Sequence, residues 1–201
     1  AVNQEFAQIL RSDPAGAEHL IPQAELERIA ASFETPQGLR SAPVAAAPAG
    51  DHPLAFSRWL DRNVHTHRLP GLRAVTLSLK RAGLPPGDVT AAQMDAAATL
   101  ATRFSQGELR VTHDQNLLLP WVREDTLHAL WQAARAEGFA TPNIGLLTDM
   151  IACPGGDFCS LANARAIPIA AALTELYQDI DEVTDIGDID LHISGCINSC
   201  G

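Results

Sequence analysis

The chain has 201 residues, 46% of them hydrophobic and 19% charged, with a formal net charge of -10. That length and balance fit a globular chain with a real core. The 14 Lys and Arg are too few to line a phosphate-binding face, which excludes nucleic acid as a partner. No apolar run approaches the ~18 residues of a membrane span, and no basic-then-apolar leader opens the sequence; neither membrane insertion nor export is expected, and the expected compartment is the cytoplasm.

Residues 1–13 show no clear pattern. Over 17–33, Leu20, Ile21, Leu26 and Ile29 stand among acidic and polar neighbours, which predicts an amphipathic helix. The stretch 34–53 is rich in Pro, Ala and Gly and reads as a linker or extended arm. A short helix over 54–64 carries Trp59 and Leu60, as a helix docked on a sheet edge would. Residues 73–80 alternate like a half-buried strand, and the turn over 82–88 ends it. Thr90 is the expected N-cap of a helix over 91–104, in which Met94, Ala97, Leu100 and Ala101 share one face; Gly107 closes it. Strands over 108–112 and 117–122 flank a polar connection, His113 to Asn116. Asp125 is the expected cap of a helix over 126–137 that carries Leu127, Leu130, Trp131 and Ala134 and ends at Gly138. The order β-α-β-β-α amounts to about one ferredoxin-like half. Beyond Pro142 come a strand-like run over 144–152, a helix over 162–179, an acidic loop over 181–190 and a second strand-like run over 190–195.

The four cysteines fall into two tight pairs, Cys153 with Cys159 (C-x5-C) and Cys196 with Cys200 (C-x3-C), each introduced by an apolar run. A strand that delivers a thiolate into a Gly-rich loop suits a bulky metal centre, because glycine lets the backbone approach it closely. Three readings compete. Structural zinc favours C-x2–4-C knuckles, and the first pair is wider. Disulfides are disfavoured in a chain without an export signal. An iron–sulfur cluster is preferred.

At this point the sequence resembles a family. Cys-Pro-Gly-x-x-x-Cys followed by Gly-Cys-x-Asn-x-Cys-Gly is similar to the signature of the sulfite and nitrite reductase haemoproteins, which contain sirohaem and a [4Fe–4S] cluster. The segment from Leu109 to Leu118 resembles their Thr-x-x-Gln-Asn-Leu stretch, about forty residues before the first cysteine pair. The likeness runs from about Leu72 to Gly201. It implies that Cys153, Cys159, Cys196 and Cys200 hold one [4Fe–4S] cluster and that Cys200 is also the axial thiolate of the sirohaem iron. It further implies that Gln115 and Asn116 lie against the sirohaem and that Asn198 steadies the second cysteine loop. The implied reaction is the six-electron reduction of sulfite to sulfide, with nitrite to ammonia as the alternative. Electrons would come from a flavoprotein subunit or ferredoxin. Ile197 departs from the family's usual Pro, which relaxes the loop and leaves the ligand spacing intact.

The fold expected from this is α+β: a helix and connecting arm over 1–53, a ferredoxin-like half-domain over 54–141, and the start of a sirohaem/[4Fe–4S]-binding α/β domain over 142–201. The sequence opens on Ala1 rather than Met and stops one residue past Cys200, and it reads as a piece of a longer polypeptide, incomplete at both ends. On its own it is expected to bind cofactor poorly and to be inactive. No catalytic acid is assigned; Arg73 and Lys80 are weak candidates for anion or sirohaem-carboxylate contacts, solvated strand-end charges being the commoner case. The seven histidines (His19, His52, His65, His67, His113, His128, His192) show no zinc pattern beside the cysteines, and Trp59, Trp121 and Trp131 read as core. The acids of 179–190 read as a solvated loop, with a basic electron donor as its potential partner. A non-catalytic four-cysteine module, held together by zinc or by a lone cluster, is the second class of function.

Overall fold

The computed structural model describes residues 2–13, 20–36, 39 and 52–201; His19 and most of the arm over 34–53 lie outside the described residues. The chain divides into two units, 1–42 and 43–201. No helix among the described residues is long and apolar enough to cross a membrane.

The first unit carries α1 (Val2–Ser12) and α2 (Gln23–Ala31). Helix α1 forms where no pattern is expected, although Val2, Phe6 and Ile9 recur at i, i+4 and i+7 and share a face. Helix α2 is shorter than the predicted 17–33. Pro22 stands at its N-cap, leaving Leu20 and Ile21 ahead of the first turn.

In the second unit α3 (Leu54–Asn63) is followed by β1 (Val64–Thr66) and β2 (Leu72–Leu77), then α4 (Ala91–Phe104), β3 (Arg110–Val111), β4 (Leu117–Arg123) and α5 (Leu127–Ala136). The strands form an antiparallel sheet in the order β1-β2-β4-β3, with a bulge between Arg73 and Val75. The predicted β-α-β-β-α order holds, with β1 as an additional edge strand.

Helices α3, α4 and α5 close over the sheet. Phe56 and Trp59 of α3 are fully buried against Val75, Leu77, Leu119, Leu130 and Trp131, so Trp59, Trp121 and Trp131 are core residues as expected. Asn63, also buried, donates to Thr76 O (3.0 Å) and Thr141 O (3.1 Å), which ties α3 to the sheet. A capping box opens α4: Gln93 N–H donates to Thr90 Oγ1 (3.2 Å) and Thr90 N–H to Gln93 Oε1 (3.0 Å).

Strand β2 stops three residues short of the prediction. Ser78 N–H turns to Phe139 O (3.0 Å) and Leu79 N–H to Asn116 Oδ1 (3.0 Å), so the backbone leaves the ladder. Asp125 does not cap α5. A 3-10 turn, Glu124–Thr126, precedes that helix, and the carboxylate pairs with Arg123 at 2.8 Å.

The rest of the unit is made of shorter pieces. Of the run over 144–152 only β5 (Ile151–Ala152) is strand; Leu146 N–H and Asp149 N–H close turns onto Asn143 O and Leu146 O. After α6 (Ile167–Leu176) comes α7 (Ile180–Ile186), where an acidic loop is predicted. Asp179 accepts from Asp181 N–H (2.9 Å) to cap α7, and buried Val183 anchors it. Arg58 pairs with Asp181, and Arg62 with Asp188 at 2.5 Å, so α3 holds this segment and two of its acids are already matched. Strand β6 (His192–Ile193) pairs in parallel with β5.

Candidate functional site

Strand β5 ends by delivering Cys153, and β6 ends by leading through Ser194 and Gly195 into Cys196. Because the two strands pair in parallel, both cysteine loops leave from the same end of them. Cys153 N–H donates to Ile193 O (3.0 Å), and Gly195 N–H donates to Cys153 Sγ (3.1 Å). A backbone N–H aimed at a sulfur stabilises the thiolate form, the form in which cysteine binds metal.

The loops then pack main chain against main chain. A Cβ on Gly195 would lie 2.6 Å from Ala164 O and 2.9 Å from Gly155 Cα; one on Gly155 would lie 2.6 Å from Ala166 N; one on Gly201 would strike Ile193 O. Only glycine fits at such separations. Gly155, at φ 56°, also opens the 3-10 turn Gly155–Asp157, from which Cys159 N–H bonds back to Gly155 O (2.9 Å). Asn163 and Ala164 N–H both donate to Gly195 O (2.9 and 3.0 Å). Gly201, next to Cys200, donates to Ser194 Oγ (2.9 Å). The segments that carry all four cysteines are thus bonded to one another.

All four are free thiols: Cys153 is buried, Cys159 and Cys196 are half-buried, and Cys200 is exposed. Among the described residues no three His, Cys, Asp or Glu side chains are grouped as the ligands of a metal ion. The donor set, the glycine contacts and the N–H to sulfur bond fit a cluster that is larger than one ion and separates its thiolates.

Gln115 and Asn116 reach this region from the hairpin between β3 and β4. The Gln115 carboxamide meets both backbone groups of Ala152: Nε2 donates to Ala152 O (2.8 Å) and Ala152 N–H donates to Oε1 (3.1 Å). Asn116 is buried; it accepts from Leu79 N–H and donates to Asp149 Oδ1 (2.8 Å). Both line a cavity of about 430 Å³ whose wall is largely apolar, with Met94, Val111, Pro154 and Phe158 among its residues. Asn198 is exposed, and the bonds that hold its loop run elsewhere, through Gly201 and from Ser199 N–H to Cys196 O.

Lys80 is not a solvated strand-end charge. Its side chain is 1% exposed, and Nζ donates to Asp114 O (2.6 Å) and faces Asp149 Oδ1 at 3.4 Å. Burial pulls the Lys80 ammonium below the usual lysine range, opposed by Asp149. Burial likewise raises the Asp149 carboxyl, opposed by the hydrogen bond from Asn116 and the charge of Lys80. Sequence reasoning missed Asp149; the available signal was a lone carboxylate in the apolar run 144–152. Arg73 pairs with Glu124 at 2.9 Å, and His113 is exposed beside Asp114.

Comparison with known proteins shows the family of the chain. Residues 78–137 match the model of the nitrite/sulfite reductase ferredoxin-like half domain. A chloroplastic ferredoxin–nitrite reductase of Oryza sativa subsp. japonica is 31% identical over 76% of this chain and 25% of its own length. A ferredoxin sulfite reductase of Mycolicibacterium paratuberculosis is 28% identical over 68% of this chain and 25% of its own. Among solved structures, the Mycobacterium tuberculosis NirA protein superposes with a TM-score of 0.53 at 26% identity, covering 78% of this chain and 27% of that one. The chain therefore spans about a quarter of the length of the curated relatives it matches. It belongs to the nitrite/sulfite reductase family, and its α+β fold contains that family's ferredoxin-like half-domain.

Proposed function

We propose that this chain supplies the cluster-bearing part of an assimilatory reductase that carries sulfite to sulfide or nitrite to ammonia. In this reading residues 54–141 are the half-domain and 142–201 begin the cofactor-binding domain. Cys153, Cys159, Cys196 and Cys200 hold a [4Fe–4S] cluster, and Cys200 also ligates a sirohaem iron. Bound there, the two centres would supply the electron path and the open iron site for a six-electron reduction.

The observation that carries the proposal is the closure of the two cysteine loops on each other through Gly155, Gly195 and Gly201, with Gly195 N–H on Cys153 Sγ. The glycines let the backbones of the two cysteine loops pack against each other, and the four thiolates would be drawn from those loops. The N–H donor lowers the cost of a buried thiolate at Cys153. Cys200, the most exposed of the four, is the sulfur able to reach a second centre. The Gln115 and Asn116 hairpin faces the adjoining cavity, and the second loop is steadied by Gly201 N–H on Ser194 Oγ and Ser199 N–H on Cys196 O.

The resemblance is read with sulfite first and nitrite as the alternative, whereas the name of the rice relative is that of a nitrite reductase and names ferredoxin as that protein's donor. Ferredoxin is accordingly the donor proposed here, ahead of a flavoprotein subunit. Absorption spectra and turnover with each anion, on the protein as its gene encodes it, test the assignment. Chlorin-type bands with reduction of either anion are expected, and the faster substrate decides between them. A protein without such bands and inert toward both would overturn the proposal.

A further inference from the structure

We infer that Gln115 is a positioning residue for Cys153: its side-chain amide acts as a one-residue strand edge that fixes the backbone just before that thiol. Strands β5 and β6 are two residues each, too short to hold their own register. One edge of β5 is paired with β6. On the other edge the N–H and C=O of Ala152, a residue 6% exposed, would be buried without partners. A carboxamide can satisfy both at once, since it carries a donor and an acceptor side by side, and Gln115 does so at 2.8 and 3.1 Å.

The arrangement is built to hold that amide in place. Gln115 sits at φ 56°, a left-handed conformation that non-glycine residues rarely adopt and that persists where surrounding contacts impose it. Asn116 beside it is locked by Leu79 N–H and Asp149. Gly87, at φ 84°, leaves room for the side chain: a Cβ there would lie 3.0 Å from Gln115 Cβ. The half-domain thereby sets the position of the first cysteine without any cofactor. Only the role of Cys153 as a ligand rests on the function proposed above.

The test uses the whole chain without cofactor, comparing wild type with Gln115→Met, which keeps the length of the side chain and loses both hydrogen bonds. Amide exchange at Ala152 should rise about tenfold, the worth of roughly one to two net hydrogen bonds. Alkylation of Cys153 should quicken, while the Leu119 and Val122 amides of β4 keep their protection. Gln115→Glu keeps an acceptor for the Ala152 N–H but donates to Ala152 O only when protonated, so it should recover that amide's protection at acid pH and lose it as the carboxyl ionises. Ala152 exchange unchanged in Gln115→Met, or rising only together with that of β4, would overturn the inference. A chain that never holds a cluster yet shows the selective change at Ala152 would overturn the proposed function and leave the positioning role standing.

Discussion

The half-domain buries Phe56, Trp59, Val75, Leu77, Leu119, Val122 and Leu130 completely in one continuous core. The cysteine-bearing region gathers a far smaller cluster, Met150, Ala152 and Ala170, and is otherwise joined by backbone hydrogen bonds and glycine contacts. Leu146, Met150 and Val183 are buried there, but three large apolar side chains of the cysteine loops point outward: Phe158 is 83% exposed, Leu161 68% and Ile197 96%. The first region has the core of a self-sufficient domain, since its stability comes from apolar area removed from water. The second presents uncovered apolar surface around four thiols, as a region organised to close on something else would.

This contrast can be broken by substitution. Trp59→Ala removes the largest fully buried side chain and should cost about 3–5 kcal/mol. In denaturant it should unfold the half-domain and carry the cysteine region with it. Asp149→Ala strands the Lys80 ammonium, whose side chain is 1% exposed, and an unpaired buried charge costs about 3–5 kcal/mol. Because Asp149 also binds Asn116 and Gly145 N–H, amide exchange should show this loss concentrated where the two regions meet. Gly195→Ala drives a methyl group onto Ala164 O and Gly155 Cα, an overpacking of about 1–3 kcal/mol. It should lower cluster incorporation while the thermal midpoint of the half-domain stays put. If that midpoint fell with it, the two regions would not be separable.

The smallest expected effect is a pH dependence. His65 is half-buried beside Thr76 Oγ1 (2.8 Å), and burial lowers its imidazole from the usual 6.5. The unfolded chain therefore takes up the proton first as pH falls below 6.5, and stability drops through that window down to the folded value. In His65→Gln the stability should be flatter over the same range in denaturant titrations.

Much of the half-domain was legible. Thr90 with Gln93 announces α4, and the apolar runs over 73–80 and 117–122 announce β2 and β4, although both strands are buried on both faces for most of their length and the alternation expected over 73–80 is not the pattern of burial. What was illegible has physical causes. The run 144–152 is apolar because Leu146 and Met150 are buried, yet they are buried from turns, and an apolar run does not distinguish the two. Helix α7 hides among acids because one buried residue, Val183, and a side-chain cap suffice for seven residues. The cysteine spacing pointed to a shared site, but the closure of its loops depends on Gly155 and Gly195 approaching across about forty residues of chain, which no local pattern encodes. Lys80 and Asp149 likewise find each other only in the fold.

The measurement that bears most directly on the account is iron, zinc and acid-labile sulfide per chain in the anaerobically purified protein, as its gene encodes it. About four irons with as many labile sulfides, plus one sirohaem iron, are expected, with the cluster lost when Cys153 is replaced by Ser. Zinc without labile sulfide would contradict this and leave the four cysteines as a structural clamp.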